Sequence, residues 1–372
     1  MLRLAERPAP TADGTGQARL PRRLRWTLLT VLALGVAGCL VVLTGGLSWG
    51  RAATSAGQDV VEAGLVHVLP AGNRVVSGPR LPEVNGLASG IGGLWLTGGS
   101  GSQNHLLYAV NPVTSRIDAT VALPSRQVIN PGDLAVGPDA VWVAIGASLY
   151  RVVPGLSGTA VNHPFATLPL GGLIGDVVTT AGSVWVDDTV HGTAYRYAAA
   201  TGRLAATVRV GGTAGVMAAG DGGVWVADPD ARTVSRISVH RNRIDLVVRV
   251  PVAPTHLAAS GGSLWATGGT DSVLIIGAGG RVRSVPVAGQ PTGLAAAGGS
   301  VWVASTGAGT LSRIDARRDA VTATVRVGER PYAVAADPQG VWVAVLGQPV
   351  MDAHAVPAGG KLGWLLRLCG LG

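Results

Sequence analysis

The sequence predicts an all-β fold, a seven-bladed β-propeller of four-stranded antiparallel blades, and three observations predict it. The first is a repeated tryptophan. Trp95, Trp142, Trp185, Trp225, Trp265, Trp302 and Trp342 each sit in a Leu/Val-Trp-Leu/Val/Ala triplet behind a Gly-rich turn or its near equivalent. Successive gaps of 47, 43, 40, 40, 37 and 40 residues mark an internal repeat of about 40 residues. The second is composition: 56 Gly and a single Phe among 372 residues, with Gly and Pro punctuating short Val/Ala/Leu runs, which favours many short strands over helices. The third is the incompleteness of the two end repeats, which fit together into one blade.

Residues 1–25 are rich in Arg, Pro, Gly and Ala and are expected to be disordered on the cytoplasmic side. Trp26 to Gly50 then carries no charge. As a helix, its apolar run of about 23 residues spans roughly 34 Å, enough for a bilayer core of about 30 Å. Trp26 and Trp49 would mark the two interfaces. The Arg cluster lies before the run and only Arg51 just after it, so the positive-inside rule puts the N-terminus in the cytoplasm and the remainder outside. The expectation is a single-pass cell-membrane anchor over 26–50, an extracytoplasmic propeller and a linker over 51–63. Two rivals stand beside it. Val36-Ala37-Gly38-Cys39 resembles a bacterial lipobox, which would anchor a lipoprotein at Cys39, and a cleaved secretory signal is the third option. All three export the rest of the chain.

The clearest repeat runs from Pro291 to Arg330. Thr292–Ala296 reads as strand a, Val301–Ser305 as b, Thr310–Asp315 as c and Val321–Val327 as d. Strand d alternates apolar and polar, as a half-exposed strand does. Strand b is continuously apolar, as a strand buried on both faces is. One such sheet cannot bury both faces alone, so blades must stack side by side, with each Trp filling the gap between neighbours. The C-terminal repeat supplies only strands a and b, Tyr332–Ala336 and Val341–Val345. Leu65–Val68 and Arg74–Ser77 supply the missing c and d, closing a ring over residues 64–347 and removing its open edges. The tail 348–372 is apolar around Trp364–Leu368 but too short to span a membrane. Arg151, Arg196, Arg236 and Arg313 recur at one position of strand c, which points to a structural use such as covering an outer blade surface with an aliphatic stem.

The pattern Pro-x-Gly-Leu-Ala, Gly-x-Val-Trp-Val-Ala, Leu-Ser-Arg-Ile-Asp and Val-x-Ala-Thr-Val-x-Val-Gly resembles the YVTN-type (YncE-like) bacterial propeller repeats over roughly residues 64–347. It also resembles the repeats of streptogramin lyases, whose strand b often reads Trp-Phe-Thr-Glu; Asp188 and Asp228 occupy the Glu position with a shorter side chain. The first resemblance implies the fold alone. The second implies histidine and an acid at one rim of the ring with a magnesium ion.

In an up-down blade the residue just before strand a lies at the mouth of the central channel. Across the seven repeats that position holds Gly86, Asp133, Asp176, Gly215, His256, Gly293 and Ala333. The loops between strands b and c, at the same end, add Asp187, Asp188, His191 and Asp228, with His105 farther out. Carboxylates and imidazole together suit a divalent metal such as Mg, or a general acid/base pair. Asp133, Asp176 and His256 are the candidates for catalysis and for a metal, and all seven acids and imidazoles, His105 aside, are candidates for ligand binding. Asp in a loop also commonly bonds nearby backbone N–H groups and nothing else.

The net charge of +8 is split evenly. Six Arg against Glu6 and Asp13 give residues 1–25 +4, and the other 23 basic and 19 acidic residues give +4 over the rest. No basic stripe results, which argues against nucleic acid as a partner. Two cysteines, Cys39 and Cys369, make no disulfide framework. Gly-x-Ser-x-Gly, His-Glu-x-x-His and Cys-x-x-Cys are absent. The expected function is a membrane-anchored, monomeric extracytoplasmic scaffold that binds a ligand or protein. The alternative is a metal-dependent lyase or hydrolase at the channel mouth.

Overall fold

The computed structural model describes residues 63–346, apart from 82–83, 99–104, 124–132, 155–164, 169–171 and 213–214, together with residues 356–357. The expected anchor over 26–50, the linker, Cys39 and most of the tail lie outside the described residues. Among the described residues no helix is long and apolar enough to cross a membrane.

The described residues form seven antiparallel sheets. The sixth repeat shows the unit: Pro291–Ala297, Ser300–Ser305, Thr310–Asp315 and Ala320–Arg326, each paired with the next. The Gly-rich turn before each Trp has a conformational cause. Gly298 and Gly299 both adopt positive φ (56° and 73°), as do Gly261 and Gly262, the geometry of a tight two-residue hairpin turn that matches strand twist. Strand b is buried along its whole length in the second, third and sixth blades, as its apolar run predicts.

Each blade buries its faces against its neighbours. Seven apolar clusters occur among the described residues, one at each contact between adjacent blades. Every cluster contains one of the seven repeat tryptophans: Trp95 faces the second blade, Trp142 the third, and so on round to Trp342, which faces the first. Trp142, Trp185, Trp265, Trp302 and Trp342 are fully enclosed. Burying one such ring contributes several kcal/mol at about 25 cal/mol per Å². That periodic investment is why the tryptophans are visible in the sequence.

The recurrent arginines do more than shield a surface. Arg151, Arg196, Arg236 and Arg313 hold their guanidinium carbons 5.3 to 5.7 Å from the centroid of their own blade's Trp ring. Each lies directly opposite that Trp across the strand pair. Cation and ring face attract. Two of these arginines then reach across to the following blade. Arg196 Nη1 donates to Val239 O at 2.7 Å and Asn242 Oδ1 at 2.8 Å, while its Nε donates to Ser183 Oγ at 2.9 Å. Arg313 repeats the pattern with Ser300 Oγ at 2.9 Å and Pro70 O at 3.4 Å.

The ring closes as the end repeats predict. Ala63–Leu69 pairs with Val341–Leu346, placing Val66 opposite Val343. Arg74–Leu81 forms the outer edge and Pro331–Ala336 the inner one. At the position opposite Trp342, where four blades carry Arg, this blade carries His67. The chain also adds a short strand that the sequence does not announce: Val356–Pro357 pairs with the outer strand of the sixth blade, Thr324 opposite Val356.

Candidate functional site

The seven innermost strands enclose a cavity of about 250 Å³ at one mouth of the central channel. Gly86, Asp133, Asp176, His256, Gly293 and Ala333 all line it, in agreement with the position read from the repeats. The small residues there have a steric cause. A Cβ on Gly293 would lie 2.5 Å from Tyr332 O, and one on Gly86 would lie 3.2 Å from Asp133 Oδ1. Neighbouring inner strands leave room for a side chain at only some of the seven positions.

Asp176 is held by a local irregularity. Pairing between Ile174–Thr180 and Ser183–Asp188 slips between Ile174 and Val177, which releases the amides of Gly175 and Asp176 from the ladder. Asp187 Oδ1 collects both, at 3.1 and 2.6 Å. The Asp176 carboxylate in turn accepts from Val177 N and, across the blade boundary, from Met217 N, each at 2.6 Å. Asp133 Oδ1 accepts from Leu134 N at 2.7 Å, and the Asp133 and Asp176 side chains are hydrogen-bonded to each other.

Burial is the largest influence on these acids. It raises the pKa of Asp133, and it raises Asp176 well above the ordinary carboxylate value, with the charges of Asp133 and Asp187 adding to the shift. Asp187 is pushed up to about 7, again mainly by burial, and its Oδ2 has no partner among the described residues. Two neighbouring buried carboxyls whose pKa values are both raised favour sharing a proton over both ionising. His256 opens to channel water on one side and is surrounded by protein on the others, and that enclosure lowers its pKa. The mouth thus carries two carboxyls biased toward protonation and an imidazole biased toward its neutral form.

Sequence reasoning placed the acids and imidazoles of the b–c loops at this same mouth, and the structure separates them. Asp133, Asp176 and His256 line the cavity. Asp187 stands behind it, joined to the Asp176 backbone. Asp188 and His191 lie farther out, beside a different cavity that His191 lines. Asp228 caps its own turn, Oδ1 accepting from Ala231 N at 3.0 Å. The side chain of His105 lies outside the described set. Asn85 also lines the mouth, and its Nδ2 is a buried donor without a partner among the described residues. No repeat signal distinguishes it, since no other blade carries Asn at the corresponding position, which holds Gly, Ala, Thr or Tyr.

Metal ligation has a geometric cost here. Both Asp176 oxygens already accept amide protons, and among the described residues no three His, Cys, Asp or Glu side chains are gathered as a ligand set.

No protein-family model matches the chain, and no curated protein matches it. Solved structures do. A streptogramin B lyase structure is similar with a TM-score of 0.59 at 13% identity, over 78% of this chain and 100% of the other. Hydrazine synthase of Kuenenia stuttgartiensis is similar with a TM-score of 0.59 at 14% identity, over 76% of this chain and 97% of the other. The chain shares their propeller fold. At such identities the likeness carries the architecture and no activity.

Proposed function

We propose that the protein is a binding propeller, tethered to the membrane by residues 26–50, whose channel mouth recognises an uncharged polar group on an extracytoplasmic ligand or protein. The observation that carries this reading is Asn85 Nδ2 in the cavity wall, buried and without a partner among the described residues. A buried donor without an acceptor costs roughly 1–3 kcal/mol, which a ligand carbonyl or hydroxyl would recover. The raised pKa values of Asp133 and Asp176 bias that wall away from being fully anionic, and His256, biased toward its neutral form, adds a donor or acceptor. The carboxylate oxygens of Asp176 are committed to backbone amides, which favours a fixed wall over a reacting group.

The test is ligand-observed NMR on the full chain, with an N-acetylated, C-amidated dipeptide and an N-acetylated sugar as probes. Saturable contact that Asn85→Ala and His256→Ala both abolish supports the reading. Absence of contact with either probe overturns it.

One observation favours a second reading, a lyase or hydrolase. Two carboxyls biased toward protonation and an imidazole biased toward its neutral form face one cavity, the arrangement of an acid and a base. A magnesium ion at Asp133, Asp176 and His256 belongs to this reading and would have to share the Asp176 oxygens with the amides of Val177 and Met217. Turnover of a lactone or ester substrate that Asp176→Asn abolishes would replace the binding reading with this one.

A further inference from the structure

A second cavity, about 500 Å³ in volume, opens on the third blade and shares no lining residue with the channel mouth. His191, Thr193, Tyr195 and Arg209 line it, with Gly211 and Gly212 as its backbone wall. Beneath it lies a fully buried carboxylate. Asp188 Oδ1 accepts from the amides of Leu173, Val190 and His191 at 3.4, 3.0 and 3.2 Å. Its Oδ2 contacts His191 Nδ1 at 2.7 Å. A Cβ on Gly172 would fall 2.3 Å from that oxygen, so only glycine lets the carboxylate sit there. Because a carboxylate only accepts, the contact fixes the proton on Nδ1 and leaves Nε2 as the free ring nitrogen.

The repeats supply an internal control. In the third, fourth and sixth blades this corner has one backbone frame: Val210 N donates to Gly192 O, Val250 N to Arg232 O and Val327 N to Gly309 O, at 2.9, 2.9 and 3.0 Å. A Thr opposite an Arg recurs as well, Thr193 with Arg209, Thr233 with Arg249 and Thr310 with Arg326. Where the third blade has His191, however, the others have Ala231 and Ala308, and where it has Tyr195 they have Ser235 and Ser312. Asp228 caps the equivalent turn of the fourth blade with no imidazole at all. The turn keeps the same frame with Asp228 in the fourth blade and with Ser305 in the sixth. It needs neither the His nor the Tyr.

We propose that this cavity binds a phosphate group, free or as a monoester. Arg209 is exposed and makes no ion pair among the described residues, so its planar donor fork is available to an oxyanion. His191 Nε2 accepts a P–OH proton when the ring is neutral and donates to a phosphate oxygen when it is charged. The Tyr195 phenol, whose pKa is raised by burial and then by the charge of Asp188, stays protonated as a further donor. Asp188 is shielded from the ligand by the four groups that bond it. Asp228, packed against Gly212 from the next blade, does not line the cavity.

Calorimetric titration of inorganic phosphate and of glycerol 3-phosphate into the full chain in detergent tests this. The expected result is one saturable site for at least one probe, the tighter of the two identifying free phosphate or a monoester as the natural form. Arg209→Gln and His191→Ala should each weaken it at least tenfold, and His191→Ala combined with Tyr195→Ser should abolish it. These two substitutions install what the fourth and sixth blades already carry, and because Tyr195 also packs in the apolar cluster around Trp142, a thermal-unfolding curve of the double variant verifies that it is folded. Arg249→Gln, the equivalent arginine beside Ala231, should leave affinity unchanged. No saturable binding of either probe overturns the proposal. So does equal loss in Arg249→Gln and Arg209→Gln, which would mark a diffuse surface charge.

Discussion

His67 lies flat on Trp342, their ring centroids 3.9 Å apart and their planes 4° from parallel. His67 belongs to the N-terminal half of the closing blade and Trp342 to the C-terminal half, so this stack joins the two ends of the propeller. Burial lowers the His67 pKa to about 4, with the charge of Asp337 opposing the shift, and its Nε2 has no partner among the described residues. A charged guanidinium serves at this position in four other blades. Here a Cβ on Gly340 would lie 2.2 Å from Nε2, so the site is closed tightly over a neutral ring.

Acid should therefore weaken the seam. The folded pKa is below that of an unfolded histidine, so the unfolded state binds the extra proton between pH 6.5 and about 4. The contribution is fully present above pH 6.5 and is lost as pH falls through that window, by about 3 kcal/mol from this residue. Guanidinium unfolding followed by tryptophan fluorescence should show a drop in midpoint from pH 7 to pH 4.5 that His67→Phe reduces.

Asp187 should act in the opposite direction. Its folded pKa of about 7 lies above that of an unfolded aspartate, so the folded state holds an extra proton between pH 3.8 and 7. Stability is highest at the acidic end of that window and declines as pH rises through it, by a few kcal/mol in order of magnitude. Asp187→Asn removes the titration while keeping an acceptor for Gly175 and Asp176. Its unfolding midpoint should lose its decline between pH 5 and 8 relative to the parent protein.

Replacing Arg196 separates charge from geometry. Arg196→Lys keeps a cation over Trp185 but loses the planar fork that reaches Ser183, Val239 and Asn242 together. A loss of about 1–2 kcal/mol is expected for Lys and about 2–3 kcal/mol for Ala. Equal stability of Lys and Arg variants in denaturant unfolding would show that charge alone matters there.

Asp176→Ala and Asp176→Asn should differ in stability. Alanine strands the buried Met217 amide at the third-to-fourth blade contact, costing about 1–3 kcal/mol. Asparagine retains the acceptor and costs less. Thermal unfolding of the two variants, compared with their ligand contact, separates the carboxyl's scaffolding from any part in recognition.

The architecture was legible because each of its causes repeats. A buried Trp at every blade contact and an apolar strand around it recur seven times, a left-handed Gly turn precedes it in five of the seven, and the unmatched end strands show where the ring closes. The channel-mouth position was readable for the same reason: it is one register position, and Asp133, Asp176 and His256 stand at it. Radial distance is not encoded that way. Asp187 and Asp188 are adjacent in sequence, yet strand alternation turns one toward the channel side and the other under His191, so loop membership alone merged two sites into one. The guanidinium stacks were half visible: the recurrence of Arg was plain, but its partner is a residue on the adjoining strand, named only once register is known. Val356–Pro357 lacks any pattern that singles it out, and its pairing depends on an open outer edge elsewhere in the chain.

The shared closing blade also sets a schedule for biogenesis. Val66 emerges from the ribosome at the beginning of the fold and its partner Val343 near the end. At about 5–20 residues per second the intervening chain takes roughly 15–55 s to synthesise. Throughout that interval the first two strands have no partner on one side, and a bare strand edge invites pairing with other chains. Completion of the ring is therefore one of the last events in the life of the nascent chain, and truncated products that stop before residue 341 lack the strand that covers the edge. Quality control of this protein reduces to whether its first strand has met its last.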